Sequence, residues 1–200
     1  LSPLPASATL IFVKADATGA GDGTSSADAY PSLRTRLSFP QSRDEVWVAA
    51  GTYRPARPGN SRTTSFRIIP GVILRGGFAG NETALGERDL AAVGRETILS
   101  GDLNGDDGPD FANYGDNSYH VLQATIVGLE STPGIIDGFV IKGGNADGSL
   151  VTIHDIGGGI AVRVGWLICQ NCLFLNNKAV NGGALSVRPN SMACRVELVD

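Results

Sequence analysis

The sequence predicts an all-β chain folded as a right-handed parallel β-helix, a single-stranded solenoid with a short N-terminal capping helix. Three observations predict it. The apolar segments are short, β-branched and separated by turn residues. Only one segment reads as helix. A pair of motifs recurs at a spacing near 25 residues.

The predicted strands run in order Leu10–Val13, Val46–Ala49, Phe66–Ile69, Val72–Leu74, Thr97–Leu99, Val121–Val127 and Ile135–Ile141. Ile160–Val164, Leu167–Leu175, Ala184–Val187 and Val196–Val199 follow. Glycine, asparagine, aspartate or proline interrupts most of them. The predicted helix spans Pro31 to Phe39. Pro31 suits a first helical turn, Leu33 and Leu37 share one face, and Pro40 stops the segment. It is the natural cap for the exposed first coil, whose unpaired strand edge would otherwise recruit other chains.

The repeat is visible in two stretches. Ile136-Asp-Gly-Phe-Val-Ile-Lys-Gly-Gly-Asn-Ala146 aligns with Cys169-Gln-Asn-Cys-Leu-Phe-Leu-Asn-Asn-Lys-Ala179. Each is followed by glycines and a strand, Gly157-Gly-Gly-Ile160 and Gly182-Gly-Ala-Leu185. The first motifs lie 33 residues apart and the second 25, which places an insertion around Gly148–Ile156. Arg75-Gly-Gly answers Lys142-Gly-Gly as an earlier relative. The alignment expects Phe139 over Cys172 and Ile141 over Phe174.

Composition narrows the function classes. The chain has 200 residues, enough for one sizeable core. Glycine numbers 27, about twice the usual ~7% share, without the period of three that collagen needs. A hydrophobic content of 42% excludes disorder. The net charge of -4 comes from 16 basic and 20 acidic residues, well mixed, so no basic stripe offers itself to nucleic acid. No apolar run approaches the ~18 residues of a membrane span. Three cysteines do not make a disulfide framework. Residues 1–8, with Ala6-Ser7-Ala8, read as a leader or the end of a secretory signal peptide. Residues 9–200 read as the cap and first coils of the solenoid. The chain reads as truncated, since Cys194–Asp200 has the pattern of a strand with no closing cap.

Several stretches resemble the opening of large bacterial surface proteins. They are Phe12-Val-Lys-Ala-Asp-Ala-Thr-Gly, Asp22-Gly-Thr, Glu45-Val-Trp-Val-Ala-Ala-Gly-Thr-Tyr53 and Gly76-Gly-Phe-Ala-Gly-Asn-Glu-Thr83. Glu87-Arg-Asp89, Leu99-Ser-Gly-Asp102 and Asp116-Asn-Ser-Tyr-His-Val121 belong with them. Phe174-x-x-Asn177 with Gly182-Gly-Ala-Leu185 is similar to the repeat of chlamydial polymorphic outer membrane proteins. One departure is that Ser25-Ser26 stand where such openings carry a tryptophan. The resemblance implies a pectate-lyase-like parallel β-helix on an exported, cell-surface or outer-membrane protein. The repeat residues Gly143, Gly144, Gly158, Gly159, Phe174, Asn177, Gly182 and Gly183 have structural roles. Gly182 and Gly183 make close turns, Phe174 fills the core, and Asn177 bridges turn backbones of neighbouring coils.

The candidate functional loop is Asp102-Leu-Asn-Gly-Asp-Asp-Gly-Pro-Asp110, with Asp116 beyond it. Asp102, Asn104, Asp106, Asp107 and Asp116 are candidate calcium ligands, because calcium takes six to eight oxygens from carboxylates, amides and carbonyls. The glycine positions and the lack of a closing glutamate exclude an EF-hand. The alternative is a solvated turn whose aspartates bond their own backbone. Cys169-x-x-Cys172 has the spacing of half a zinc site or a redox pair, but the other half of a zinc site is missing, and one or both cysteines read as inward-facing small hydrophobes. His120 reads as a packed or hydrogen-bonded histidine, and Glu82, Glu87, Arg88 and Asp89 as a charged turn with a local salt bridge.

Two functions fit. One is a non-catalytic exported scaffold or adhesin that binds a polysaccharide or cell-envelope component. The other is a polysaccharide lyase or glycoside hydrolase, which needs a base, an acid and charge stabilisation on one face. The chain offers Arg54, Arg57, Arg62, Arg67 and Arg75, but no motif gathers them. No catalytic residue is assigned.

Overall fold

A computed structural model describes residues 9–39, 43–125, 132–149, 152–188 and 194–199. The strands are β1 (Leu10–Val13), β2 (Glu45–Ala49), β3 (Gly51–Tyr53), β4 (Phe66–Ile68) and β5 (Ile73–Phe78). Then come β6 (Thr97–Ser100), β7 (Leu122–Thr125), β8 (Gly134–Asp137), β9 (Phe139–Lys142) and β10 (Asn145–Ala146). The last are β11 (Ile160–Gln170), β12 (Leu173–Leu175), β13 (Lys178–Ala179), β14 (Leu185–Val187) and β15 (Cys194–Val199). One helix, α1 (Leu33–Leu37), and three short 3-10 turns lie between them.

Every strand pair among the described residues is parallel. The first sheet runs β1-β2-β5-β8-β11-β15. The second runs β3-β6-β9-β12, the third β4-β7-β11-β14, and the fourth holds β10 and β13. Strand β11 belongs to two sheets. Its first residues pair with β7 and β14, it passes Gly165 at φ 106, and its last six residues pair with β15.

The expected single-stranded, all-β solenoid is corrected by this arrangement. The strands lie in four separate sheets of two to six strands, not in one solenoid, with short helical segments between them. All-parallel sheets with few helices class the chain with α/β-type folds. The physical reason lies at the breaks. Gly51 (φ 141), Gly138 (φ 77) and Asn171 (φ 48) turn the backbone where apolar runs end. Local pattern marks such a run but not which sheet receives it. Gly138 also divides the expected strand Ile135–Ile141 into β8 and β9.

In-register parallel pairing stacks like residues about 4.8 Å apart. Ile11, Val46, Leu74, Ile136 and Cys169 form one inward column. Tyr53, Leu99, Ile141 and Phe174 form a second. Phe66, Leu122, Ile160 and Leu185 form a third. The three columns converge on one hydrophobic core, in which each fully buried Leu, Ile or Phe contributes roughly 1.5–3 kcal/mol.

The repeat alignment meets this register residue for residue at Ile136–Cys169, Ile141–Phe174, Ala146–Ala179 and Ile160–Leu185. The offset falls from 33 to 25 between Ala146 and Ile156, which pairs with Asn181. The third relative is corrected. Arg75 pairs with Asp137, not Lys142, because β5 joins the first sheet and β9 the second.

The helix is shorter than expected. Ser32 caps it by accepting from the Thr35 amide at 3.2 Å, which leaves Pro31 outside the helix. Leu33 and Leu37 are buried in the core, whereas Phe39 is exposed. Arg36 is also buried and pairs with Asp44. The leader at residues 1–8 lies outside the described residues.

Candidate functional site

The acidic loop leaves β6 and returns at Ser118, whose amide bonds the Gly101 carbonyl at 2.8 Å. Asp102 is buried. One of its carboxylate oxygens accepts from the amides of Gly105 at 2.6 Å and Asp106 at 3.2 Å. Asp116 accepts from the Asn104 amide at 2.9 Å. The aspartates therefore build the loop's own turns, as Asx-turn chemistry does. Asp102, Asp106 and Asp116 also place carboxylate oxygens within 4.8 Å of one another. Asn104 contributes its amide while the residue itself is exposed. Asp107 accepts from the Asn117 side chain at 3.0 Å. Three carboxylates within reach of one point suit a hard cation, but this geometry assigns no metal by itself.

Burial pushes the Asp107 carboxyl up to about 6, and the neighbouring charges of Asp102, Asp116 and Asp106 push the same way. Its unfolded value is near 3.8. Folding therefore favours the protonated form. Its contribution is fully present below 3.8 and is lost as pH rises through about 6. Asp107→Asn keeps the acceptor for Asn117 and removes the charge. Thermal melts should show a gain of a few degrees at pH 7.5 and no gain at pH 3.5. Equal gains at both values would exclude this linkage.

Several charged side chains hold the fold together. Asp137 is buried and accepts from Arg75 at 2.5 Å, Arg88 at 2.8 Å and Asn171 at 2.8 Å. Burial alone would raise its pKa. The bonds from Arg88 and Asn171 and the charge of Arg88 outweigh it and hold the carboxyl below its ordinary value. Arg62 donates to the carbonyls of Asn117 and Asn145 and to Asp147. Arg54 donates to the Asp102 carbonyl. Burial would likewise raise Glu82, but the amides of Ala79, Gly80 and Asn81 hold it low. The expected local salt bridge within Glu82–Asp89 is thus replaced by separate contacts. Arg88 reaches Asp137, 49 residues away, and Glu87 accepts from the Thr83 amide.

His120 is buried. Its Nδ1 donates to the Gly157 carbonyl at 3.0 Å, and burial lowers its pKa, so the imidazole is neutral. Asp155 is wholly buried, with the Arg188 guanidinium 3.9 Å from its carboxylate.

The repeat residues tie neighbouring turns together. Asn177 accepts from the Gly144 amide at 3.0 Å and donates to the Ile141 carbonyl at 2.7 Å. Gly143 and Gly182 take positive φ. A Cβ on Gly158 would meet the Lys178 carbonyl oxygen at 2.3 Å, and one on Gly159 the Ala184 oxygen at 2.4 Å. One on Gly183 would meet the Asn177 oxygen at 2.8 Å. Phe174 packs against the core cluster.

One surface feature stands apart from these internal ties. Arg34, Leu37 and Ser38 of α1 and its C-cap line an open groove together with Ser65, Phe66, Arg67 and Ile69 around β4, and the Ser38 hydroxyl donates to the Arg34 carbonyl at 2.9 Å. Arg34 and Arg67 are exposed, and neither guanidinium has a hydrogen-bond or ion-pair partner among the described residues. No acidic residue is among the groove's lining. Sequence reading noted Arg67 without placing it and missed Arg34, Ser38 and Ser65. Helical spacing puts Arg34 off the Leu33/Leu37 stripe and so marks it as outward. Nothing local marks β4 as the neighbour of α1.

Compared with known proteins, the chain matches no family model, no curated protein and no solved structure. The resemblance to bacterial surface proteins rests on its motifs alone. Among the described residues no helix is long and apolar enough to cross a membrane.

Proposed function

We propose that this chain is an exported, non-catalytic surface scaffold of the adhesin kind that binds an acidic glycan of the cell envelope or its surroundings. The observation that carries this reading is the pair of unpartnered guanidiniums, Arg34 and Arg67, beside the hydroxyls of Ser38 and Ser65. A guanidinium fork matches a carboxylate in two parallel hydrogen bonds. The Ser65 hydroxyl suits a neighbouring sugar oxygen, while the Ser38 hydroxyl donates to the Arg34 carbonyl. The motif resemblance and the Ala6-Ser7-Ala8 leader support export.

A lyase would instead recruit arginines to neutralise a uronate beside a base. Arg54, Arg62, Arg75 and Arg88 are engaged in bonds that hold loops and sheets together. That use favours the scaffold.

The test is binding of purified chain to immobilised polygalacturonate and to neutral dextran by interferometry. Binding should be confined to the acidic polymer and weaken at high salt, as exposed charges are screened. The double variant Arg34→Ala/Arg67→Ala should lose at least about tenfold in affinity, the order expected for two charge-assisted contacts. Equal binding by the double variant would remove the groove from the reading. Release of unsaturated uronide products would overturn the non-catalytic assignment.

A further inference from the structure

The Cys169-x-x-Cys172 pair is absorbed by neither the fold's polar ties nor the proposed groove. Cys169 ends the core part of β11 and pairs in register with Ile136. The Cys172 sulfur lies 3.9 Å from the carbonyl oxygen of that same Ile136. Paired parallel strands stand about 4.8 Å apart, so both sulfurs converge on one spot beside β8. Asn171, at φ 48, makes the turn that brings Cys172 back. Cys169 is buried and Cys172 is partly open, and both are free thiols.

We propose that Cys169 and Cys172 are a disulfide-forming pair, oxidised in an oxidising compartment, which staples the corner between the first and second sheets. This proposal stands independently of the glycan reading. Cys172 is the attacking sulfur. It is the less buried of the two, and a hydrogen bond from Cys169, with the amides of Phe139 and Gly138, favours its thiolate. Cys169 keeps its proton, because that bond and burial raise its pKa.

With oxidised glutathione as oxidant, the Cys172 thiolate attacks its disulfide. One glutathione thiolate leaves and a mixed disulfide forms. Cys169 then loses its proton and attacks the Cys172 sulfur. The mixed bond breaks, the Cys169–Cys172 bond forms, and the second glutathione leaves. Two protein thiols are oxidised, one glutathione disulfide is reduced to two thiols, and the two protons end on glutathione. Cys194 is not the partner by register. It pairs with Gly165, four positions before Cys169, about 13 Å along the strand.

The test uses the full chain, reduced and then exposed to oxidised glutathione, alkylated and digested with trypsin. Peptide 164–178 holds both cysteines and peptide 179–195, uncut at Arg188-Pro189, holds Cys194. Peptide 164–178 should be lighter by two hydrogens and resist alkylation, in wild type and in Cys194→Ser alike. Cys169→Ser should instead trap glutathione on Cys172. Alkylation of both cysteines in peptide 164–178, a lasting glutathione adduct in wild type, or a cross-link to peptide 179–195 would each overturn the proposal. If Cys169→Ser does not fold, the wild-type map alone decides.

Discussion

Asp137→Ala should destabilise the chain by about 3–5 kcal/mol, the range found when one partner of a buried ion pair is removed. Asp137 is buried on the outward row of the first sheet, in register with Arg75. Its carboxylate receives Arg75 from β5, Arg88 from the loop after it, and Asn171 from the turn after β11. Arg88 also donates to its backbone carbonyl at 2.9 Å. Removing the carboxylate leaves two arginines, both largely buried, without their shared anion. Urea melts should show the midpoint falling with little change in slope. Asp137→Asn keeps the shape but not the charge and should fall between. A loss under ~1 kcal/mol, the size of a surface ion pair, would mean that solvent screens the cluster. The pH dependence has a defined sign. The folded pKa lies below the unfolded value of 3.8, so this stability is present above 3.8 and lost as pH falls through the folded value.

Gly144→Ala should cost at least about 3 kcal/mol, the upper end for overpacking, since the obstacle is backbone. A Cβ there would stand 1.8 Å from the Gly158 carbonyl oxygen and 2.4 Å from its carbon. Neither atom can rotate away as a side chain does. The strain would fall where the Gly144 amide meets Asn177 and where the Gly158 carbonyl accepts from Val121 at 3.0 Å. Gly86→Ala and Gly115→Ala are the controls, because a Cβ at either meets nothing within 4 Å. Thermal melts should show a large drop for Gly144→Ala and almost none for the controls. Three similar drops would mean that glycine acts here through chain entropy and not through close packing.

Much of the strand content was legible because it is local. Short apolar runs bounded by turn residues mark Leu10–Val13, Val46–Ala49 and Phe66–Ile69, and β1, β2 and β4 lie there. The motif spacing was legible because stacked repeats need like residues at like positions. Ile141 over Phe174 follows from it. The alignment failed at Arg75, where two glycines after a basic residue looked like kinship. Pairing decides kinship, and Arg75 pairs with Asp137. The acidic loop could be read as either a turn or a cation site, because spacing places carboxylates near one another without showing that backbone amides reach them first. The groove was illegible, since Arg34 and Arg67 are 33 positions apart and meet only through the packing of α1 on β4.

By itself, then, the sequence determined the short apolar strands, the repeat from Ile136 to Leu185, its insertion and the inward stripe of the helix. These depend on side-chain period and turn chemistry, which act over a few residues. Only the tertiary structure decided that the strands divide among four sheets, that Arg75 and Arg88 share Asp137, that two thiols converge on Ile136, and that Arg34 and Arg67, without a partner among the described residues, line one groove. Those are contacts between residues far apart in the chain. They follow from how backbone bends such as Gly138 and Gly165 direct each strand, and no local pattern encodes that direction.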